Sequence, residues 1–345
     1  MRAALYTGNE GIVVEDRAPV APAAGQVQID VAYTGICGTD LHILHGAMDH
    51  RVRIPQTIGH EMSGHIAVLG AGVDGLAVGQ PVTVMPLDWC GTCPACVAGH
   101  HHICHRLNFI GIDTPGAMQQ RWTVPASVVV ALPADLPLPH GALVEPTAVA
   151  VHDVRRAGLR PGERAVVIGG GPVGVLIALV ARSVGAEVMT LELDPHRRAI
   201  AEALHLRTLD PAGDDVAAEV DTWTGGAGAA VAFEVSGSAA GIDTGIQLLA
   251  VRGRLVVVGI HNRPREVDLF RVFWRELTMV GARVYDRSDY DTAIELLTSN
   301  TVPAGTLISR IEPLDNAAAA FAALGSGGNV MKVLVDCRAS SRWTG

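Results

Sequence analysis

Four of the six cysteines crowd into one stretch, "CGTCPACVAGHHHIC", at Cys90, Cys93, Cys96 and Cys104. The spacing C-x2-C-x2-C-x7-C lets a tight loop bring successive thiolates to one point, and Gly91, Pro94 and Gly99 allow the turning. Zinc takes four soft ligands at tetrahedral corners, so a structural zinc lobe over 88–105 is the expectation. Three alternatives use the same residues. Disulfides need an oxidising compartment, a CxxC redox pair engages two thiols of four, and a ferredoxin-like cluster takes all four. The run His100–His102 beside them reads as exposed loop histidines.

The remaining thiols are Cys37 and Cys337. Cys37 lies in "GICGTDLH", His60 and Glu61 adjoin in "IGHEMSG", and Glu145 opens "EPTAVAVHD". Alone, each has a plain reading: a core cysteine, a buried histidine, a glutamate at a helix start. Together they are the donor set of a catalytic zinc with an open position.

A third motif is "GGGPVG", which gives Gly169-x-Gly171-x-x-Gly174 with Val173 inside the turn. It follows the apolar run "AVVI" and opens "PVGVLIALVARS", the strand-to-helix context that a dinucleotide fingerprint requires. Gly169 makes the turn, Gly171 admits the pyrophosphate and Gly174 lets helix and strand pack closely. Glu192 ends the next apolar run, where a carboxylate binds both adenosine ribose hydroxyls and repels a 2′-phosphate, so NAD is expected over NADP. Arg197 and Arg198 nearby could reach a phosphate, while Asp194 suits a helix N-cap.

Elements must carry these groups. The chain has 345 residues, which favours two domains, and 49% of them are apolar. The net charge is −9 with no basic block, arguing against nucleic acid and membrane partners. The opening "MRAALYTGNEGIVVED" lacks signal-peptide character, and the longest apolar stretch stops at Arg182, so a cytoplasmic enzyme is expected. Residues 1–145 read as short strands broken by Gly and Pro. From 164 onward strand and helix alternate, which predicts a parallel sheet covered on both faces. Helices are expected near 146–160, ending by Gly158, and at the Ala317–Ala320 run. The closing "RASSRWTG" reads as a loose tail.

The motifs "GICGTDLH", "GHEMSG", the four-cysteine lobe, "EPTAVAVH" and "VIGGGPVG" stand in that order. This arrangement resembles the zinc-dependent medium-chain alcohol and polyol dehydrogenases, in the branch with sorbitol, 2,3-butanediol and threonine dehydrogenases. The likeness runs from Met1 to about Asp336. It implies an α/β fold: a GroES-like, β-rich catalytic domain over 1–148 and 286–345, and a Rossmann domain over 149–285. It implies that Cys37, His60 and Glu61 hold the catalytic zinc, with Glu145 a fourth ligand or a partner of the zinc-bound water or substrate. Thr39 and His42 would relay the proton. Asp40 would orient the ligand histidine, as carboxylates commonly do.

The resemblance further places Arg197 beside the adenosine and Val258, Gly259 and Ile260 against the nicotinamide carboxamide. Ile43, Leu44, Phe109, Ile112 and Tyr285 would line the substrate pocket. Sorbitol-binding relatives carry an Arg-Tyr pair where this chain has Val284-Tyr285, which weakens a sorbitol assignment. The implied activity is hydride transfer from a secondary alcohol to NAD, giving a ketone. The alcohol is a polyol, a vicinal diol, a sugar derivative or a β-hydroxy amino acid. The resemblance also implies a homodimer or homotetramer. Two rivals are an NADPH-dependent aldehyde or ketone reductase and a non-catalytic nucleotide-binding protein that kept the fold.

Overall fold

The computed structural model describes residues 1–325 and 329–338. The end of the expected tail, 339–345, lies outside the described residues. The chain forms two compact units: 1–145 with 294–300 and 308–345, and 146–293 with 301–307.

The first unit is built on a seven-stranded sheet. Its centre is the long strand Gln26–Gly35, buried along most of its length. That strand pairs antiparallel with Glu61–Leu69 on one side and with Lys332–Asp336 on the other. The registers set Gly35 opposite both Glu61 and Leu334, so residues distant in sequence meet at one strand end. The short strands Leu87–Asp88 and Asn108–Phe109 pair antiparallel and flank the cysteine lobe.

The second unit carries six parallel strands. Their spatial order is Arg207–Leu209, Glu187–Leu191, Arg164–Ile168, Ala229–Glu234, Leu249–Val257, Thr278–Gly281. The strand order reverses between Arg164–Ile168 and Ala229–Glu234, and ligands of such sheets bind beyond the strand ends at that point. Central strands such as "RAVVI" are apolar on both faces because helices cover both. Val166, Met189, Ala232, Ile246 and Leu255 form part of the core between sheet and helices.

Residues 286–293 and 301–307 group with this unit rather than with the first. A buried polar contact ties the former in: Asp289 Oδ2 accepts from the backbone N–H of Asp286 at 2.7 Å and lies 2.9 Å from His152 Nδ1. The helices Val144–Ala157 and Ala317–Gly325 form at the Glu-Pro start and the alanine run. Among the described residues no helix is long and apolar enough to cross a membrane.

Candidate functional site

Gly59 takes φ +99, a left-handed conformation that turns the chain into His60 and Glu61. A side chain there would overlap Met118 and Thr34. On the neighbouring strand the chain leaves Gly35 and enters the helix Gly38–Leu44, with Cys37 as its N-cap. Asp40 Oδ2 accepts from the Cys37 N–H at 2.9 Å, and the Thr39 N–H points at Cys37 Sγ at 3.4 Å. The cap therefore fixes the sulfur. Thr39 and His42, three apart on this helix, share a face and are half-buried.

These local devices bring together donor atoms of Cys37, His60 and Glu61, all within 4.8 Å of one another. Glu145 stands outside that close set, but it is buried and its charge acts on His60 and Lys332. Burial opposes a charged His60. Asp40, Cys37 and Glu145 outweigh it and hold the imidazole pKa well above its usual value. Asp40 Oδ1 lies 3.7 Å from His60 Nδ1, and both atoms are buried without a hydrogen-bond partner. Thiol, imidazole and carboxylate crowded beside unpartnered polar atoms fit a zinc ion with an open position.

The cysteine lobe gives a sharper test. Cys90 and Cys104 sulfurs are 3.5 Å apart, and those of Cys93 and Cys104 are 3.8 Å apart. Disulfide sulfurs would lie at about 2.0 Å. Tetrahedral thiolates at a zinc–sulfur distance of about 2.3 Å are separated by about 3.8 Å. None of the four is in a disulfide, and the spacing fits zinc. Backbone N–H groups prepare the ligands: that of Thr92 above all lowers the Cys90 pKa to about 5, whereas burial pushes Cys96 up to about 12. His101 stacks on Trp89 at 5.0 Å, a packing role.

A third donor group, His152, Asp286 and Asp289, also falls within 4.8 Å. Arg155 Nη2 already sits 2.7 Å from Asp286 and 2.9 Å from Asp289, so a guanidinium holds the place of a cation.

In the second unit Gly171 is the N-cap of the helix Pro172–Ser183, with no side-chain cap, so the first N–H groups stay free for an anion. Arg197 brings Nη1 over Gly171, and its Nε is buried without a partner. Glu192 is held by backbone: Oε2 accepts from Gly170 N–H at 2.7 Å and Oε1 from Asp194 N–H at 2.8 Å. Asp194 caps the following helix, and Arg198 is engaged by the carbonyls of Glu192 and Leu193 and by Asp210. The N–H groups of Val258 and Gly259 donate to Glu234 O, so they are not available to a carboxamide. The Glu234 carboxylate, overlooked in the sequence, meets Ser236 Oγ at 2.5 Å and His261 Nε2 at 2.9 Å. It ties together the loops after two neighbouring strands.

The expected pocket residues fare less well. Ile43 and Tyr285 are 0% exposed and belong to the core, Tyr285 edge-on to Tyr290. Ile112 is buried too, and Phe109 meets the His60 ring edge-on at 5.3 Å. Leu44 is half-buried. Lys332 was missed altogether: its ammonium is buried against Glu61 and donates to Ile36 O at 3.0 Å.

Comparison with known proteins agrees with this geometry. The model of the alcohol dehydrogenase GroES-like domain matches residues 23–134, and that of the zinc-binding dehydrogenases matches 172–299. A 2-dehydro-3-deoxy-L-galactonate 5-dehydrogenase of Pseudoalteromonas atlantica is 52% identical over 339 residues, 98% of this chain and 99% of that protein. The chain belongs to the zinc-dependent medium-chain polyol dehydrogenases. A sorbitol dehydrogenase of Halalkalibacterium halodurans is 31% identical, covering 97% of this chain and 99% of that one. The crystal structure of 2R,3R-butanediol dehydrogenase from Bacillus subtilis superposes with a TM-score of 0.88 at 30% identity, over 97% and 99% of the two chains. This polyol dehydrogenase is an enzyme that oxidises a secondary alcohol to a ketone.

Proposed function

We propose that the enzyme oxidises a secondary hydroxyl of a sugar acid, with NAD as acceptor. The observation that carries the chemistry is the convergence of Cys37, His60 and Glu61 donor atoms within 4.8 Å. The 52% identity to a dehydrogenase named for a deoxy-keto-galactonate narrows the substrate class. Zinc held by these residues would supply Lewis acidity at the substrate hydroxyl, and NAD would be the hydride acceptor. Cys37 and His60 are the fixed ligands, Glu61 the exchangeable one, and Glu145 adds buried negative charge. Thr39 Oγ1 would accept the substrate's hydroxyl proton while donating its own onward, through the cofactor ribose, to the His42 imidazole one helical turn on. Asp40 positions both Cys37 and His60. The four lobe thiolates hold a second, structural zinc.

For the cofactor, the turn Gly169–Gly174, including Val173, receives the pyrophosphate, with Arg197 over it. Glu192, fixed by two backbone N–H groups, accepts the ribose hydroxyls and disfavours a 2′-phosphate. The N–H groups of Val258 and Gly259 are spent on Glu234 O, so contact of Val258–Ile260 with the carboxamide would fall to their carbonyl groups. The six free thiols suit a reducing compartment, which supports a cytoplasmic site of action.

A homo-oligomer is supported by an apolar surface on the second unit. Leu269, Phe270, Phe273 and Trp274 are at least 70% exposed on one short helix. Beside it Thr278–Gly281 is a sheet edge paired on one side only. Large exposed apolar surface next to an open edge marks an interaction face.

The test is a substrate screen across 3-deoxy-2-keto sugar acids, aldonates, polyols and simple diols, each with NAD and NADP, read by absorbance of the reduced cofactor. The highest kcat/KM is expected for a sugar acid with NAD, abolished by chelator and restored by zinc. Preference for an uncharged diol, or for NADP, overturns the corresponding part.

A further inference from the structure

Lys332 opens the strand Lys332–Asp336, which lies beside Gln26–Gly35 and so one strand away from Glu61. Its side chain is 3% exposed and that of Glu61 is 1% exposed. A buried lysine needs a partner, and here it has two: Glu61 Oε2 and the carbonyl of Ile36, at 3.0 Å. Ile36 immediately precedes Cys37. The ammonium thus touches one expected metal ligand directly and the backbone at the foot of another. Gly35 gives the pair its space, because a Cβ there would overlap Glu61 Oε2 and reach 3.0 Å from Lys332 Cε.

We propose that Lys332 is a positioning residue of the metal centre. By holding one carboxylate oxygen of Glu61 it leaves a single oxygen for the metal and keeps that oxygen exchangeable for substrate. The inference rests on the reading of Cys37, His60 and Glu61 as ligands. Charge gives the reason. Lys332 offsets one unit of the negative charge that Cys37, Glu61 and Glu145 bring to the site, so a divalent ion there stays more electrophilic. Without the ammonium that unit falls on the ion, and Glu61 becomes a permanent donor that closes the open position. Breaking a buried pair also leaves the Glu61 carboxylate without its ammonium partner, which strengthens its pull on the metal.

The test uses full-length enzyme with cobalt(II) replacing zinc in the catalytic site. Lys332→Met is expected to retain the metal, to release it to a chelator more slowly than wild type, and to show an altered cobalt visible spectrum. Its kcat should fall by about 10- to 100-fold while the KM for NAD stays put. Lys332→Arg should recover spectrum and kcat towards wild type. If Lys332→Met does not fold, Lys332→Gln, which keeps a donor for Ile36 O, is expected to give the same spectral change. A variant with only a lower Tm, and with unchanged spectrum, metal release and kcat, overturns the proposal. The ligand reading fails separately: that happens if wild-type cobalt enzyme lacks a thiolate charge-transfer band that Cys37→Ser removes.

Discussion

Gly171 and Gly174 belong to one turn, yet an added methyl meets different surroundings at each. On Gly174 it would lie 1.8 Å from Gly169 O and 3.5 Å from Val167 Cγ1. Backbone cannot yield as a side-chain end does, so the start of the helix Pro172–Ser183 must retreat by on the order of 1 Å, the scale of misplacement that costs about 100-fold in a site. Overpacking of this kind costs about 1–3 kcal/mol. For a unit of this size that lowers Tm by roughly 2–12 °C. On Gly171 the methyl meets only Arg197 Nη1 at 3.7 Å, and φ −66, ψ −177 suits alanine. The unfolded chain loses freedom instead, a gain of about 0.4–1 kcal/mol. The same methyl stands where the pyrophosphate must approach. Gly171→Ala should therefore keep or raise Tm while weakening NADH binding by about 10-fold or more. Gly174→Ala should lower both stability and affinity. NADH fluorescence titration and calorimetry on the two variants decide the matter. Wild-type NADH affinity in Gly171→Ala would refute the placing of the pyrophosphate, and an unchanged Tm in Gly174→Ala would refute the packing argument.

Cys93→Ser should release the structural zinc and reduce folding yield, measured by metal content and soluble fraction, with little change in kcat per correctly folded subunit. Glu192→Ala should raise the KM for NAD and narrow the preference over NADP at unchanged zinc content; an unmoved KM would remove the ribose assignment. Asp153 is buried with both carboxylate oxygens unpartnered, and burial, helped by Asp289, raises its pKa well above the usual carboxylate value. A raised folded pKa means stability present below the unfolded pKa, 3.8, and lost as pH rises towards the folded one. Asp153→Asn should accordingly increase Tm more at pH 8 than at pH 5, followed by thermal denaturation; an equal gain at both would place the neutral form elsewhere.

The parts readable from sequence were those whose residues are near neighbours along the chain. Cys90 to Cys104 and Gly169 to Gly174 each fold into one turn or loop, so spacing alone constrains their geometry. The helix at Val144–Ala157 and the parallel sheet were likewise written in local periodicity. Pocket walls were not. Ile43 and Tyr285 proved to be core because an apolar residue facing substrate and one facing core have the same local signature. Asp40 shows the mixed case: its capping of Cys37 is a local pattern, whereas its approach to His60 depends on strand pairing.

By itself, then, the chain determined the clustering of the lobe thiols, the glycine turn between strand and helix and the alternation of strand and helix, since each depends on residues a few positions apart. Only the tertiary structure decided that Lys332 meets Glu61, that Asp289 meets His152, and that Glu192 and Glu234 are bound by backbone and loop partners. Those contacts join segments up to 271 residues apart. Long-range partners are selected by sheet register and burial, which bring charges together only after the core has formed, and no local pattern records them.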